Sequence, residues 1–272
     1  MTGPATHSRQ KGRPSPILEL VNVTVVRGKE NTKLLDRVSL TVSPGENVAI
    51  LGPNGAGKTT LMKIITREYY PLADPGVLFR VWGKNRWNIF KLRHLLGLVS
   101  NNLQTRFPPG MSGMEVVLSG FSGGIGLHNE RITPAMEQKA LMVLRFLEIA
   151  HLKDRDLGVM SSGEARRFLI GRALVHGPQV LILDEPTNSL DLRSAFHFRA
   201  TLRKIARTGT NIVLITQNLQ DIIPEVRRVV LMKRGRIFKD GPKKDILTTR
   251  AISALFEVPL RISRKNGHYL WT

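Results

Sequence analysis

The strongest constraint on this chain is the stretch GPNGAGKT at 52–59, which follows directly on the apolar run NVAIL at 47–51. Gly52, Gly57, Lys58 and Thr59 stand at the fixed positions of the G-x-x-x-x-G-K-[ST] pattern, and Pro53, Asn54, Gly55 and Ala56 fill the loop between them. Glycines let successive backbone N–H groups turn inward, and the helix expected over 58–67 adds its positive end, so the segment forms an anion cradle. Lys58 reaches the β- and γ-phosphates of a nucleotide, and the Thr59 hydroxyl ligates Mg²⁺. A buried strand, a glycine loop and a helix in that order are half of a βαβ unit, which predicts an α/β fold.

A second constraint lies in ILDEPTNSLD at 182–191. Asp184 and Glu185 close an apolar run, where an unpartnered carboxylate costs several kcal/mol. With a phosphate loop elsewhere in the chain, the pair has a purpose. Asp184 contacts the metal directly or through a second shell, and Glu185 polarises a water aimed at the γ-phosphorus.

The remaining pattern fits one large domain. Alternating apolar and β-branched residues predict antiparallel edge strands at 17–26 and 34–42, and further strands follow at 77–82, 96–100, 179–183, 211–216 and 229–233. Helices are expected at 134–149, where Thr133 and Pro134 form a cap and first turn, and at 163–176 and 192–207. The Gly-, Pro- and Ser-rich stretch 101–127 opens an inserted helical subdomain, placed at about 103–176. The tail reads as a strand at 258–263, a turn at Asn266-Gly267 and a strand at 268–271. No internal repeat is visible. The resulting layout is a disordered basic leader over 1–16, a nucleotide-binding domain over 17–240, and a C-terminal extension over 241–272 with a short helix and a hairpin.

Bulk properties narrow the partners. Lys and Arg number 41 against 21 Asp and Glu, a balance of +20 that favours anionic partners without choosing among nucleotides, nucleic acid and acidic lipid. The absence of cysteine removes disulfides, thiolate metal sites and cysteine nucleophiles. The longest apolar runs fall far short of the about 20 residues a membrane helix needs, so any membrane role is peripheral.

Four elements in order now carry a family resemblance. GPNGAGKTT at 52–60, ending in Thr60, resembles the Walker A motif of the ATP-binding cassette (ABC) ATPases. LILDEP at 181–186 resembles Walker B, SLD at 189–191 the D-loop, and MSSGE at 160–164 the signature motif that opens the signature helix. The resemblance spans about 17–240. It implies a P-loop NTPase of ABC type: a mainly parallel core sheet with helices on both faces, an antiparallel β edge subdomain and an inserted α-helical subdomain. It also implies Mg·ATP as ligand and a head-to-tail dimer, in which ATP on one copy's phosphate loop is capped by Ser161, Gly163 and the signature-helix N-terminus of the other.

Several positions depart from the family pattern. Asn101 stands where a metal-contacting glutamine is usual, and Gln217 stands where a histidine is usual, so Gln217 can hydrogen-bond a γ-phosphate but cannot carry a proton. The resemblance therefore implies slow turnover or reliance on Glu185. An aromatic that stacks on adenine is replaced by Val26 and Arg27. Arg27 either stacks its guanidinium on the base or is a solvated loop cation with adenine held loosely.

Two functional classes remain open. The chain is the energising subunit of a membrane importer, cytoplasmic and peripheral on the inner face of the plasma membrane beneath separate permease subunits, or it is a soluble ABC ATPase acting on ribosomes or nucleic acid. The resemblance favours the importer. The chain has one phosphate loop and one signature, and RFPPGMSGMEVVLSGF at 106–121 is similar to the importer segment that forms a groove for a permease helix. Short strings such as REYYP at 67–71 are similar to cassettes of molybdate-related, metal and siderophore uptake systems. With 6% aromatics and no stacking cluster, no specific nucleic acid is expected.

Overall fold

The computed structural model describes residues 15–126 and 131–272, and the expected leader lies almost wholly outside them. The chain begins with β1 (Leu18–Arg27) and β2 (Thr32–Val42), which pair antiparallel from Leu18↔Val42 to Arg27↔Thr32. β3 (Val48–Leu51) is buried at all four residues and leads into the phosphate loop and α1 (Lys58–Ile65). β4 (Leu78–Val81) then pairs with β1, making a three-stranded antiparallel sheet in the order β2-β1-β4. After α2 (Ile89–Leu95) and β5 (Leu96–Ser100) come α3 (Gly113–Leu118), α4 (Pro134–Phe146) and α5 (Ser162–Leu174). β6 (Val180–Asp184), α6 (Leu192–Arg207), β7 (Asn211–Thr216), β8 (Arg228–Lys233) and β9 (Arg236–Pro242) complete the main sheet. The C-terminal part holds α7 (Lys243–Ile246), α8 (Thr249–Phe256) and the hairpin β10 (Ile262–Lys265) and β11 (His268–Trp271).

The main sheet runs β5-β6-β7-β3-β8-β9, parallel except for β9, which returns antiparallel to β8. Period-two alternation assigns each strand residue to a face. Val48, Ile50, Ile182, Ile215 and Met232 pack with Leu61 and Ile64 of α1 and with Leu20 and Leu40 of the antiparallel sheet. Ala49, Leu51, Leu183, Leu214 and Leu231 pack with the helices of the other face, including Phe168, Leu202 and Ile252. Both faces are covered, as a near-continuous apolar parallel strand requires. On the α1 face the cover is shared with a sheet.

Three local differences from the sequence reading have physical causes. The strand expected at 258–263 forms at Ile262–Lys265, because Glu257 caps α8 in the left-handed region (φ 60°) and Leu260 N–H donates to Ser253 Oγ instead of to a strand. The expected Asn266-Gly267 turn is present, with both residues at positive φ (51° and 81°). β9 crosses the expected boundary at 240 and escaped the sequence reading. It is an edge strand with mostly exposed residues, so it carries no apolar alternation to find. The helix expected to 149 stops at Phe146, with Glu148 at φ 61°.

Candidate active site

The phosphate loop emerges at the carboxyl end of β3, in the middle of the sheet, where parallel α/β sheets offer a crevice. Two glycines are sterically required. A Cβ on Gly52 would lie 2.3 Å from Met232 O, and one on Gly57, already at φ 97°, would lie 2.8 Å from Leu35 Cδ2. The loop is braced from β8 and β9 by Gly235, whose N–H donates to Ala56 O at 3.1 Å. Gly57 caps α1 without a side-chain hydrogen bond, so the first-turn N–H groups keep their capacity for an anion. Asn54 and Gly55 form the exposed rim of the loop.

Lys58 is 5% exposed, which is unusual for a lysine and demands partners. Its Nζ donates to Gly52 O at 2.8 Å and Pro53 O at 3.1 Å. It also lies 3.1 Å from Glu185 Oε1, a charge contact whose angles fall outside those of a hydrogen bond. The lysine of the loop and Glu185, the acid that follows β6, are therefore neighbours. The sequence reading brought them together only through a shared ligand.

Asp184, the last residue of β6, is 9% exposed, and burial, followed by the charge of Glu185, raises its carboxyl to about 6 despite the pull of Lys58. Thr59 Oγ1 approaches its Oδ2 at 3.5 Å, the outer limit of a hydrogen bond, while its Oδ1 is buried without a partner. A half-satisfied buried carboxylate beside a threonine hydroxyl is a donor set that suits a hard divalent cation. Magnesium fits these residues. β5 pairs Ser100 with Asp184, so Asn101 follows directly on the neighbouring strand, although its side chain lies outside the described part of the structure.

Glu185 has φ 48°, a left-handed conformation that costs a non-glycine residue energy and must be held by its surroundings. Its N–H donates to Ile215 O at 2.8 Å, and its Oε2 accepts from Gln217 N–H at 3.1 Å. Gln217 thus meets Glu185 through its backbone, an interaction indifferent to the missing histidine. Behind both sits Asp221, 1% exposed, whose carboxylate accepts from Thr187 Oγ1 and Thr216 Oγ1, each at 2.7 Å. Sequence reasoning missed Asp221, since an isolated aspartate in a polar stretch carries no local signal.

Ser161 and Gly163 lie with a different segment. Ser161 caps α5 through a capping box: its Oγ accepts from Glu164 N–H, and Glu164 Oε2 accepts from Ser161 N–H at 2.8 Å. A Cβ on Gly163 would lie 2.5 Å from Ser194 Oγ of α6, and Ser162 Oγ donates to Ser189 O at 3.3 Å. These contacts of the signature segment run to the loop before α6 and to its first turn. Arg27 is exposed at the end of β1, paired in register with Thr32, and Thr60 is half-buried in the first turn of α1. A depression of about 1030 Å³ opens at the other end of the sheet, beside Gly45, Asn47 and Arg227, and belongs to a different surface.

The family model described as ABC transporter matches residues 35–188. The uncharacterized ABC transporter ATP-binding protein YlmA of Bacillus subtilis is 36% identical over 261 residues, 94% of each chain. The hemin import ATP-binding protein HmuV of Bradyrhizobium diazoefficiens is 32% identical over 265 residues, 93% of each chain. Among solved structures, an inward-facing metal-chelate type ABC transporter aligns with a TM-score of 0.76 at 23% identity. The alignment covers 94% of this chain and 96% of that one, a likeness of fold.

Proposed function

The chain belongs to the ABC transporter ATP-binding family, and from that membership we propose that it is the ATP-hydrolysing subunit of an importer, peripheral on the cytoplasmic face beneath permease subunits. The observation that carries the reading is the convergence of Lys58, Thr59, Asp184 and Glu185 at the carboxyl ends of β3 and β6. Relatives named for hemin import support an importer of a chelated metal or a comparable cargo. No observation favours the ribosome or nucleic-acid alternative.

In the proposed reaction the backbone N–H groups of the loop past Pro53, within 54–60, bind the triphosphate of ATP. Asp184 and Thr59, joined by Asn101, would hold Mg²⁺, which neutralises phosphate charge when bound. Lys58 is shared between the loop carbonyls and Glu185, so a triphosphate that engages Lys58 also frees the Glu185 carboxylate to accept a proton from the attacking water. Gln217 supplies a neutral hydrogen bond to the γ-phosphate. Ser161 and Gly163 at the start of α5 act on the nucleotide of a second copy or a paired cassette, and Arg27 stacks on the base. Asp184→Asn is expected to raise the Mg²⁺ concentration for half-maximal hydrolysis more than tenfold, while metal-free ATP binding changes little. Titration of Mg²⁺ at saturating ATP measures it, and an unchanged midpoint would remove Asp184 from the metal site.

The permease contact is assigned to a groove of about 450 Å³ between α2, β5 and α5. Arg93, Arg106 and Arg172 line it, and burial together with the charges of the other two brings the Arg172 guanidinium down to about 10. Concentrated positive charge in a recess suits a partner segment that carries a carboxylate. The test is retention of the chain on membranes isolated from its source cells. Wild type is expected to be retained and the Arg93→Glu, Arg106→Glu double variant lost, with ATP binding intact. Equal retention of both would place the contact elsewhere.

A further inference from the structure

The buried carboxylate of Asp221 closes a ring that includes Glu185, assigned to water activation, and Gln217, assigned to the γ-phosphate. Asp221 ends the 3-10 turn Leu219–Asp221 after β7. Its Oδ1 accepts from Thr187 Oγ1, two residues past Glu185, and its Oδ2 from Thr216 Oγ1, the residue before Gln217. The ring is completed by Gln217 N–H on Glu185 Oε2 and by Glu185 N–H on Ile215 O. Thr216 Oγ1 also accepts from Asn218 N–H at 2.9 Å, so every polar atom of the Asp221–Thr216 link is engaged. The Arg199 guanidinium, 4.0 Å from Oδ1, offsets the buried charge.

We propose that Asp221 is a positioning residue for ATP hydrolysis: it fastens the turn after β6 to the end of β7 and so holds the Glu185 carboxylate at the reacting phosphate. The need for a clamp follows from the backbone. Glu185 sits at φ 48°, a conformation that relaxes unless its neighbours over-determine it. Hydrogen bonds from hydroxyls to a buried carboxylate are among the stronger ones available, and both partners of Asp221 are threonines with restricted χ1. The clamp's own links are side-chain hydroxyls on one carboxylate, whereas the phosphate loop meets it through the backbone, Gly52 N–H donating to Thr216 O at 3.3 Å, a bond that side-chain substitutions at 187, 216 and 221 leave in place. The clamp therefore acts on the chemical step and leaves nucleotide binding alone. The inference rests on the ATPase reading above.

The test measures phosphate release and ATP binding for the full chain and for Asp221→Ala, Thr187→Val, Thr216→Val and the Asp221→Ala, Thr187→Val double variant. Asp221→Ala is expected to lower kcat tenfold to a hundredfold, the order lost when a catalytic group shifts by about 1 Å, with ATP affinity within about twofold of wild type. Each valine variant loses part of this, and the double variant is no worse than Asp221→Ala alone, because both remove the same link. Unchanged kcat in folded variants overturns the inference, as do equal losses of affinity and kcat that track a lower melting temperature. If Asp221→Ala does not fold, the valine variants decide by the same two outcomes. A wild-type chain that releases no phosphate from Mg·ATP overturns the ATPase reading itself, whereas active wild type with unaffected variants overturns this inference alone.

Discussion

Lys58→Ala is expected to abolish measurable ATP binding, with a loss of at least about a hundredfold in affinity by calorimetric titration. The ammonium is held among Gly52 O, Pro53 O and Glu185 Oε1 inside the cradle, so it is already desolvated and aimed where phosphates would lie. Charge-assisted hydrogen bonds are worth about 1.5–3 kcal/mol each, and Lys58 directs several of them at one anion. The substitution also takes away the counter-charge of Glu185, so the folded fraction must be checked by its melting curve. A folded Lys58→Ala protein that binds ATP within about threefold of wild type would show that the loop is not the phosphate site.

Glu185→Gln is expected to bind Mg·ATP as wild type does while losing about a hundredfold to ten-thousandfold in turnover, the range of a general base. A carboxamide oxygen can still accept the Gln217 N–H that holds Glu185, so geometry survives and only proton acceptance is lost. Because loss of the γ-phosphate would release the second copy, the variant should also accumulate as a dimer with Mg·ATP. Light scattering checks this, and a variant that stays monomeric with saturating Mg·ATP would count against the shared-nucleotide arrangement.

The parts of the site legible in the sequence are those written in consecutive residues. The loop at 52–59 and the acids at 184 and 185 each announce a local geometry, glycine conformations in one case and polar groups ending a buried strand in the other. α6 occupies the expected 192–207, because Asp191 caps it through a bond to Ser194 N–H and its buried face repeats at helical spacing. What escaped is written across distance. Asp221 gains its role from a threonine 34 positions away, and Gly235 from the backbone of Ala56. β9 is defined by the strand it edges and not by its own residues, and the shifted β10 is set by a cap on the preceding helix. Gly163, read as a partner for ATP, is in addition a close-packing glycine against Ser194, a constraint invisible without the second helix.

The central claim is that the cradle after β3 and the paired acids after β6 hold one metal–triphosphate between them. A crystal structure of the Glu185→Gln protein with Mg·ATP tests it most directly. The account predicts the phosphates on backbone N–H groups within 54–60, with Lys58 moved onto them and the ion between Thr59 Oγ1 and Asp184. A nucleotide bound elsewhere, or an Asp184 carboxylate turned away from an occupied phosphate loop, would contradict it.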